Sequence, residues 1–184
     1  MSLTGNEHFT FDGMPIGLLL QDFWSWQSSS LLNNTLRGVM AEYIVGNALG
    51  VLDSHRKIWN LHDLTYNGTR IEVKTSCCVQ EWEQERPSPL IFSIESKQNN
   101  DLYVFCAHTE ANPMILDQWL FFPVLTSELV EELGEQKTAR VSTIRRFCDG
   151  YKYDSLRDAV DFTLSGDTEA ADRIASRKAL RQYG

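Results

Sequence analysis

No stretch of this 184-residue chain is apolar for long enough to cross a membrane. The longest apolar run near its start covers residues 16–20, whereas a membrane-spanning helix needs about 20 apolar residues. The chain also has no early basic segment followed by an apolar run and a small-residue cleavage site. We therefore expect no membrane span, no secretory signal and a cytoplasmic location.

Cysteine is scarce, and its spacing carries no metal-binding pattern. The four cysteines are Cys77, Cys78, Cys106 and Cys148, and they form neither CxxC pairs nor any zinc-ligand spacing. The four histidines are scattered, and none has a partner at the helical spacing of a metal site. This usage favours reduced cytosolic thiols that mostly pack in the interior.

Positive charge is scarce over most of the chain. The net charge is −8, with 7 basic and 18 acidic residues in 1–136 but 10 basic and 7 acidic residues in 137–184. An acidic total argues against tight, indiscriminate wrapping of nucleic acid. A local basic edge in the last quarter of the chain is compatible with this composition.

Repeats, low-complexity tracts and dividing linkers are absent, so we expect a single domain over 1–184. We divide it into an N-terminal packing segment (1–30), a core (31–125) and a helical C-terminal part (126–184). The aromatic-rich N-terminal segment is expected to form a loop and then a short helix from about Ile16, packed onto the core.

Periodicity and capping residues predict the other elements. Asn34 and Gly50 suit the two ends of a helix. Strands are predicted at 61–66, 69–77, 90–94, 102–107 and 118–124, and further helices at 126–133, 153–164 and 168–183. The fold class that follows is α/β (an α+β mixed sheet), with a central mixed β-sheet flanked by helices.

The stretch DLTYNGTRIEVK, residues 63–74, carries the strongest local signal. Asn67-Gly68 between two alternating runs is typical of a two-residue hairpin turn. Counting outward from this turn predicts the opposed pairs Tyr66 with Thr69, Thr65 with Arg70, Leu64 with Ile71 and Asp63 with Glu72. The last pair places the Cβ atoms of two acidic residues about 4.5–5.5 Å apart on one face, where like charges repel.

A hard divalent cation would relieve that repulsion, because Mg²⁺ is typically held by one or two carboxylates and keeps waters or phosphate oxygens as its other ligands. Lys74 projects from the same face as Glu72 and would stand beside the metal. Such a trio suits hydrolysis of a phosphodiester by an activated water. Ser76 and Gln80 follow and could contact phosphate. The alternative is an ordinary charged surface, with Lys74 paired to Glu72.

These residues resemble the PD-(D/E)XK nuclease superfamily, which has the restriction-endonuclease-like fold. The segments FWSW (23–26), RGVMAE (37–42), EVKTS (72–76), QEW (80–82) and DQW (117–119) are similar to a group of small uncharacterised bacterial proteins assigned to that superfamily. The similarity runs from about residue 20 to 165.

The resemblance implies a function and roles for particular residues. Asp63 and Glu72 would be metal ligands together with the main-chain carbonyl of Val73. Lys74 would be the catalytic lysine, and Glu42 the accessory carboxylate of the first core helix. The cofactor would be Mg²⁺ or Mn²⁺, and the substrate DNA, with RNA as the alternative. Many enzymes of this kind are homodimers, so a homodimer is one possible state.

The chain departs from the superfamily pattern in two places. His62 precedes Asp63 where the pattern often has proline. Only residues 95–101 separate the third and fourth predicted strands, whereas a crossover to a parallel strand needs a dozen or more residues. Either these strands pair antiparallel locally or the crossover has been trimmed.

Further contacts with nucleic acid are expected from the basic residues Lys137, Arg140 and Arg145. The arginines of the terminal helix are more consistent with a solvated charged face, and Trp82 and Trp119 with packing than with base stacking. A non-catalytic nucleic-acid- or partner-binding module that keeps the fold is the main alternative. A metal-binding regulatory subunit is a third hypothesis.

Overall fold

The computed structural model describes residues 3–53, 56, 60–94 and 99–182, which form eight strands and six α-helices. The strands are β1 (His8–Phe11), β2 (Met14–Leu19), β3 (Leu64–Tyr66), β4 (Thr69–Cys77), β5 (Ile91–Ser93), β6 (Leu102–His108), β7 (Trp119–Leu125) and β8 (Thr138–Arg140). The helices are α1 (Leu20–Gln27), α2 (Asn34–Leu49), α3 (Thr126–Leu133), α4 (Val141–Ile144), α5 (Leu156–Ser165) and α6 (Thr168–Gln182).

The central sheet has the order β3-β4-β6-β7 and is mixed. β3 and β4 are antiparallel, β4 and β6 parallel, and β6 and β7 antiparallel. Three of the four predicted pairs are confirmed, with Tyr66 opposite Thr69, Thr65 opposite Arg70 and Leu64 opposite Ile71. The fourth, Asp63 opposite Glu72, is not part of the ladder, because β3 begins at Leu64. The predicted fold class, a central mixed sheet flanked by helices, is confirmed.

The core lies on both faces of this sheet. β6 is buried along its whole length, which suits a strand covered on both sides. Its alternate side chains enter two separate apolar clusters, one shared with α2 and α5 and the other with β5, α3, β8 and α4. Each large side chain buried there contributes about 1.5–3 kcal/mol to stability.

Helix α2 supplies one wall of the region where the candidate site lies. Its N-cap is Asn33 rather than the predicted Asn34, because the Asn33 side chain accepts hydrogen bonds from the N–H groups of Thr35 and Leu36 at 3.0 and 3.4 Å. Gly50 ends it in the left-handed conformation, with φ +73°, as predicted. The buried face between these caps packs on β4.

The connection from β4 to β6 explains the short segment at residues 95–101. β5 does not pair with β6; it pairs antiparallel with β8, outside the central sheet. The crossover therefore spans residues 78–101, which is long enough for a parallel connection. Local antiparallel pairing of the third and fourth predicted strands is wrong, and no helix occurs among the described residues of the crossover.

The N-terminal segment differs from its prediction. Residues 8–19 form a hairpin and residues 20–27 a helix, and no side chain in these elements is buried. Trp26, for example, is 76% exposed. The expected packing of this segment onto the core is therefore wrong. Its apolar composition alone could not specify which surface, if any, it covers.

The two tryptophans that were expected to pack, Trp82 and Trp119, have different outcomes. Trp119 packs as expected: it is fully buried and its indole N–H donates to the carbonyl of Pro113 at 2.9 Å. Trp82 does not pack, since it is 60% exposed.

On α6, Arg173 and Arg177 both form ion pairs with Asp158 of α5, so their role is structural. Among the helices in the described ranges, none combines the length and apolarity that a membrane span requires.

Candidate active site

The site forms where β3 stops pairing with β4. The Asp63 N–H donates to the carbonyl of Ile71 at 3.1 Å. One residue beyond the paired strand, the Asp63 carboxylate takes the place of a backbone acceptor, and its Oδ2 receives the N–H of Val73 at 2.8 Å. The carboxylate is therefore fixed in the plane of the sheet, at the edge of β4.

The carbonyl of Val73 belongs to the same edge. In a β-ladder, the N–H and C=O of one residue point to the same neighbouring strand. Since the Val73 N–H is directed to Asp63, its carbonyl also faces the side on which Asp63 lies. This edge therefore combines a carboxylate and a main-chain oxygen.

Glu72 and Lys74 occupy one face of β4, as the alternation predicts. The Glu72 side chain is 10% exposed, and its Oε1 accepts a hydrogen bond from Lys74 Nζ at 2.6 Å. Their charge-assisted hydrogen bond offsets part of the cost of burying the carboxylate. It also holds the ammonium group at a defined position beside the sheet edge.

The surroundings of Asp63 disfavour the ionised form of its carboxyl group. Burial is the largest cause that raises the pKa of its carboxyl from 3.8 to about 6, and repulsion from Glu72 and Glu42 acts in the same direction. The Val73 N–H and the Lys74 ammonium oppose this rise but do not cancel it. At neutral pH the protein therefore holds an ionised carboxylate in surroundings that favour an added positive charge.

Glu42 on α2 faces the same region but has a partner that the sequence did not indicate. Arg56 donates to both of its carboxylate oxygens, from Nε at 2.6 Å and from Nη2 at 2.7 Å. The pKa of Arg56 is raised chiefly by this hydrogen bonding and also by attraction to Glu42 and Asp63. Arg56 follows Glu42 by fourteen residues in a connecting segment, where periodicity gives no signal.

A cavity of about 460 Å³ opens beside these groups. Its lining includes Glu42, Arg56 and Asp63 together with apolar residues of α2 and the Thr65 side of β3. Such a volume can admit a part of a polymeric substrate or a small polar ligand.

The donor set can be tested against the expected Mg²⁺. Within the described ranges, no three His, Cys, Asp or Glu side chains form a group that could hold a metal ion. The carboxylates of Asp63 and Glu72 and the carbonyl of Val73 are nevertheless hard oxygen donors. One or two protein carboxylates are what Mg²⁺ usually takes, because waters and substrate oxygens complete its octahedron. The residues therefore fit a weakly held Mg²⁺ and do not fit a closed structural site.

Three other expected contact residues lie together near the end of β4. Ser76 Oγ accepts the N–H of Ile91 at 3.0 Å, which ties β5 to β4. Ile91 is opposite Arg140 in the β5–β8 ladder. Gln80 donates to the carbonyl of Cys77 at 3.2 Å and lines the same cavity as Ser76. Ser76, Gln80 and Arg140 are thus neighbours in the fold.

The side chains of the remaining basic residues have no contact with that place in the described part of the chain. Lys137 is exposed just before β8, and its carbonyl accepts the N–H of Ile94 at 2.9 Å, at the end of the β5–β8 ladder opposite to Arg140. The Arg145 guanidinium lies over the ring of Phe122, 5.9 Å from its centroid. Arg146 pairs with Glu132 of α3. Arg145 therefore has a structural contact that the charge pattern did not indicate.

No protein-family model matches the chain, and no curated protein is detectably similar to it. The resemblance to the PD-(D/E)XK superfamily therefore stays a prediction that depends on the motif residues.

Proposed function

We propose that the protein is a divalent-metal-dependent endonuclease that hydrolyses phosphodiester bonds in DNA, with a restriction-endonuclease-like core. The observation that carries the proposal is the raised pKa and fixed position of the Asp63 carboxylate beside Glu72 and Lys74. Partial burial of one carboxylate beside another is unfavourable, and an ordinary charged surface gains nothing from it. In a cation-binding site, the bound ion offsets the repulsion between the two carboxylates.

The chain's own residues divide the work as follows. Asp63 and Glu72 would hold Mg²⁺ or Mn²⁺ through carboxylate oxygens, together with the Val73 carbonyl. When bound, the ion would supply an activated water and neutralise charge on the phosphate. Lys74, held by Glu72, donates a hydrogen bond from its ammonium group to a non-bridging phosphate oxygen, where negative charge accumulates as the bond breaks.

The proposal also includes a cytoplasmic location and a contact between Arg140 and the DNA backbone. All four cysteines are free, which supports a reducing compartment such as the cytoplasm. Arg140, opposite Ile91 on the surface next to Ser76, supports contact with the phosphates that flank the cut. DNA is preferred over RNA because the superfamily that the chain resembles acts mostly on DNA.

A cleavage time course tests the proposal. Single-stranded, duplex and branched DNA and single-stranded RNA are each incubated with protein in Mg²⁺, in Mn²⁺ and in EDTA. We expect cutting of at least one substrate that requires the metal and falls by at least about 100-fold in Lys74→Ala. The matched control is Lys178→Ala, which removes an exposed lysine of α6. It is purified in the same way, so cutting by a contaminating nuclease would appear equally in both variants.

A non-catalytic binding module is the second candidate. The observation in its favour is the Arg56–Glu42 ion pair, which occupies the accessory carboxylate. Binding of DNA without cutting, at an affinity unchanged by Lys74→Ala and by metal, would support this module and refute the nuclease.

A further inference from the structure

A second cavity, of about 390 Å³, lies at the C-terminal end of β4, against the first turn of α2. Its lining is polar and comes from α2, β4 and the crossover: Asn34, Arg37, Thr75, Ser76, Gln80 and Ser88 are among its residues. Thr75 follows Lys74 directly, but on the opposite face of the strand. The cavity is therefore close to the proposed active site and separate from its carboxylates.

Arg37 is the most unusual of these residues. It is only 3% exposed, yet within the described part of the chain its guanidinium donates only to neutral acceptors, the carbonyl of Leu32 at 2.8 Å and the side chain of Asn34. Its Nε has no hydrogen-bond partner in the described part of the chain. Burial of a cation is costly unless a negative group accompanies it.

No negative group is present in the described surroundings. No carboxylate there forms an ion pair with Arg37. The nearest candidate anion, Cys77, is a neutral thiol, because burial raises its pKa and its Sγ donates to the carbonyl of Val79 at 2.9 Å. Among the described residues, nothing compensates the positive charge of Arg37.

Two more buried polar atoms of the lining lack partners in the described residues, Thr75 Oγ1 and Gln80 Oε1. Buried polar groups are nearly always hydrogen-bonded, so three orphaned atoms around one cavity indicate that something fills it. Water can satisfy a hydroxyl and an amide oxygen. It cannot neutralise the guanidinium.

We propose that the Arg37 cavity is a binding site for a phosphate group. Arg37 supplies the charge, and the Thr75 hydroxyl donates to a phosphate oxygen. Gln80 Oε1 is an acceptor, so it takes the P–OH of a phosphate monoester or, beside a phosphodiester, a sugar hydroxyl or a water. The first-turn N–H groups of α2 add favourable field for an anion. This site does not depend on the nuclease proposal, because none of its groups binds the metal.

The test is thermal unfolding with inorganic phosphate in EDTA, against sodium chloride of equal ionic strength. If 10 mM phosphate is roughly ten times the dissociation constant, the melting temperature rises by about 3–6 °C. We expect Arg37→Met to abolish this rise and Thr75→Val, which keeps the side-chain shape, to reduce it to less than about half. Arg146→Met removes an exposed arginine two residues beyond α4 and should leave the rise intact.

The result that overturns the site is a rise that is absent in the wild type, or that both cavity variants retain in full. Thr75→Val keeps the test decisive if Arg37→Met fails to fold, which circular dichroism reveals. All measurements are made without metal, so they stand whether or not the protein cuts DNA.

A competition arm identifies where the phosphate comes from. Titration calorimetry with phosphate is repeated in a saturating amount of a short single-stranded oligonucleotide. Loss of phosphate binding assigns the site to a phosphodiester of the strand. Unchanged phosphate binding supports the same cavity and assigns it to a free or terminal phosphate.

Discussion

Replacing Asp63 by asparagine is expected to stabilise the metal-free protein. Asparagine keeps an oxygen that can accept the Val73 N–H, so the local geometry survives. What it removes is an ionised carboxylate that burial and the neighbouring carboxylates of Glu72 and Glu42 disfavour. The residue would thus be retained for function at a cost in stability.

The size of the stabilisation expected for Asp63→Asn follows from the pKa of the Asp63 carboxyl group. The carboxyl of Asp63 has a pKa of about 6 in the fold against 3.8 ordinarily. Because the folded value is raised, the native state gains from the proton below about pH 4 and loses that gain as the pH rises through 6. The full difference corresponds to about 3 kcal/mol. Partial exposure to solvent reduces the expected gain of Asp63→Asn to about 1–2 kcal/mol above pH 7.

Urea unfolding in EDTA at pH 4.5 and 7.5 measures this. At pH 7.5 the free energy of unfolding should be larger for the variant than for the wild type, and this difference should shrink at pH 4.5. Mg²⁺ should then raise the unfolding free energy of the wild type but not of the variant. A variant that is less stable at pH 7.5, or a difference independent of pH, would refute the electrostatic reasoning.

Asp101→Asn is the matched control with the opposite sign. Asp101 accepts hydrogen bonds from Arg70, and these hold the pKa of its carboxyl at about 2. Its ionised form therefore stabilises the native state above the unfolded pKa, and that stabilisation is lost as the pH falls toward 2. The asparagine variant should be less stable than the wild type at pH 7.5.

Two other substitutions give separate checks. Arg56→Met frees Glu42 and removes a cation that competes with the metal, so calorimetry should show Mg²⁺ binding about 5–10-fold tighter; weaker binding would contradict the competition. Gly150→Ala should cost roughly 3 kcal/mol in denaturant unfolding, because its φ is +88° and a Cβ would lie 2.6 Å from Phe122. Gly166→Ala, with φ +66° and open space around it, should cost only about 1 kcal/mol. If both glycine substitutions cost the same, the clash with the Phe122 ring would not contribute to the cost of Gly150→Ala.

The hairpin and its candidate catalytic residues could be predicted from sequence because their geometry is local. A two-residue turn at Asn67-Gly68 sets the register of the strands on either side, and alternation assigns each side chain to a face. Glu72 and Lys74 therefore lie together as expected. Gly50 marked the end of α2 for the same reason, since glycine readily adopts the left-handed conformation there.

Alternation could not describe the last part of the site. The Asp63 carboxylate turns into the plane of the sheet to bond Val73, and Arg56 reaches Glu42 from a connecting segment. Both contacts join residues that no repeating pattern relates. Within the described residues, no group of three His, Cys, Asp or Glu side chains that could hold a metal ion forms around them.

The sequence by itself thus determined the turn chemistry, the buried runs and the faces of β4, which depend on neighbours a few residues apart. Tertiary structure alone decided that β4 pairs in parallel with β6, that β5 leaves the sheet to join β8, and that the N-terminal aromatics stay exposed. It also decided that Arg37 is buried without a negative partner among the described residues. These outcomes depend on contacts between distant segments, whose energies the order of residues does not reveal one segment at a time.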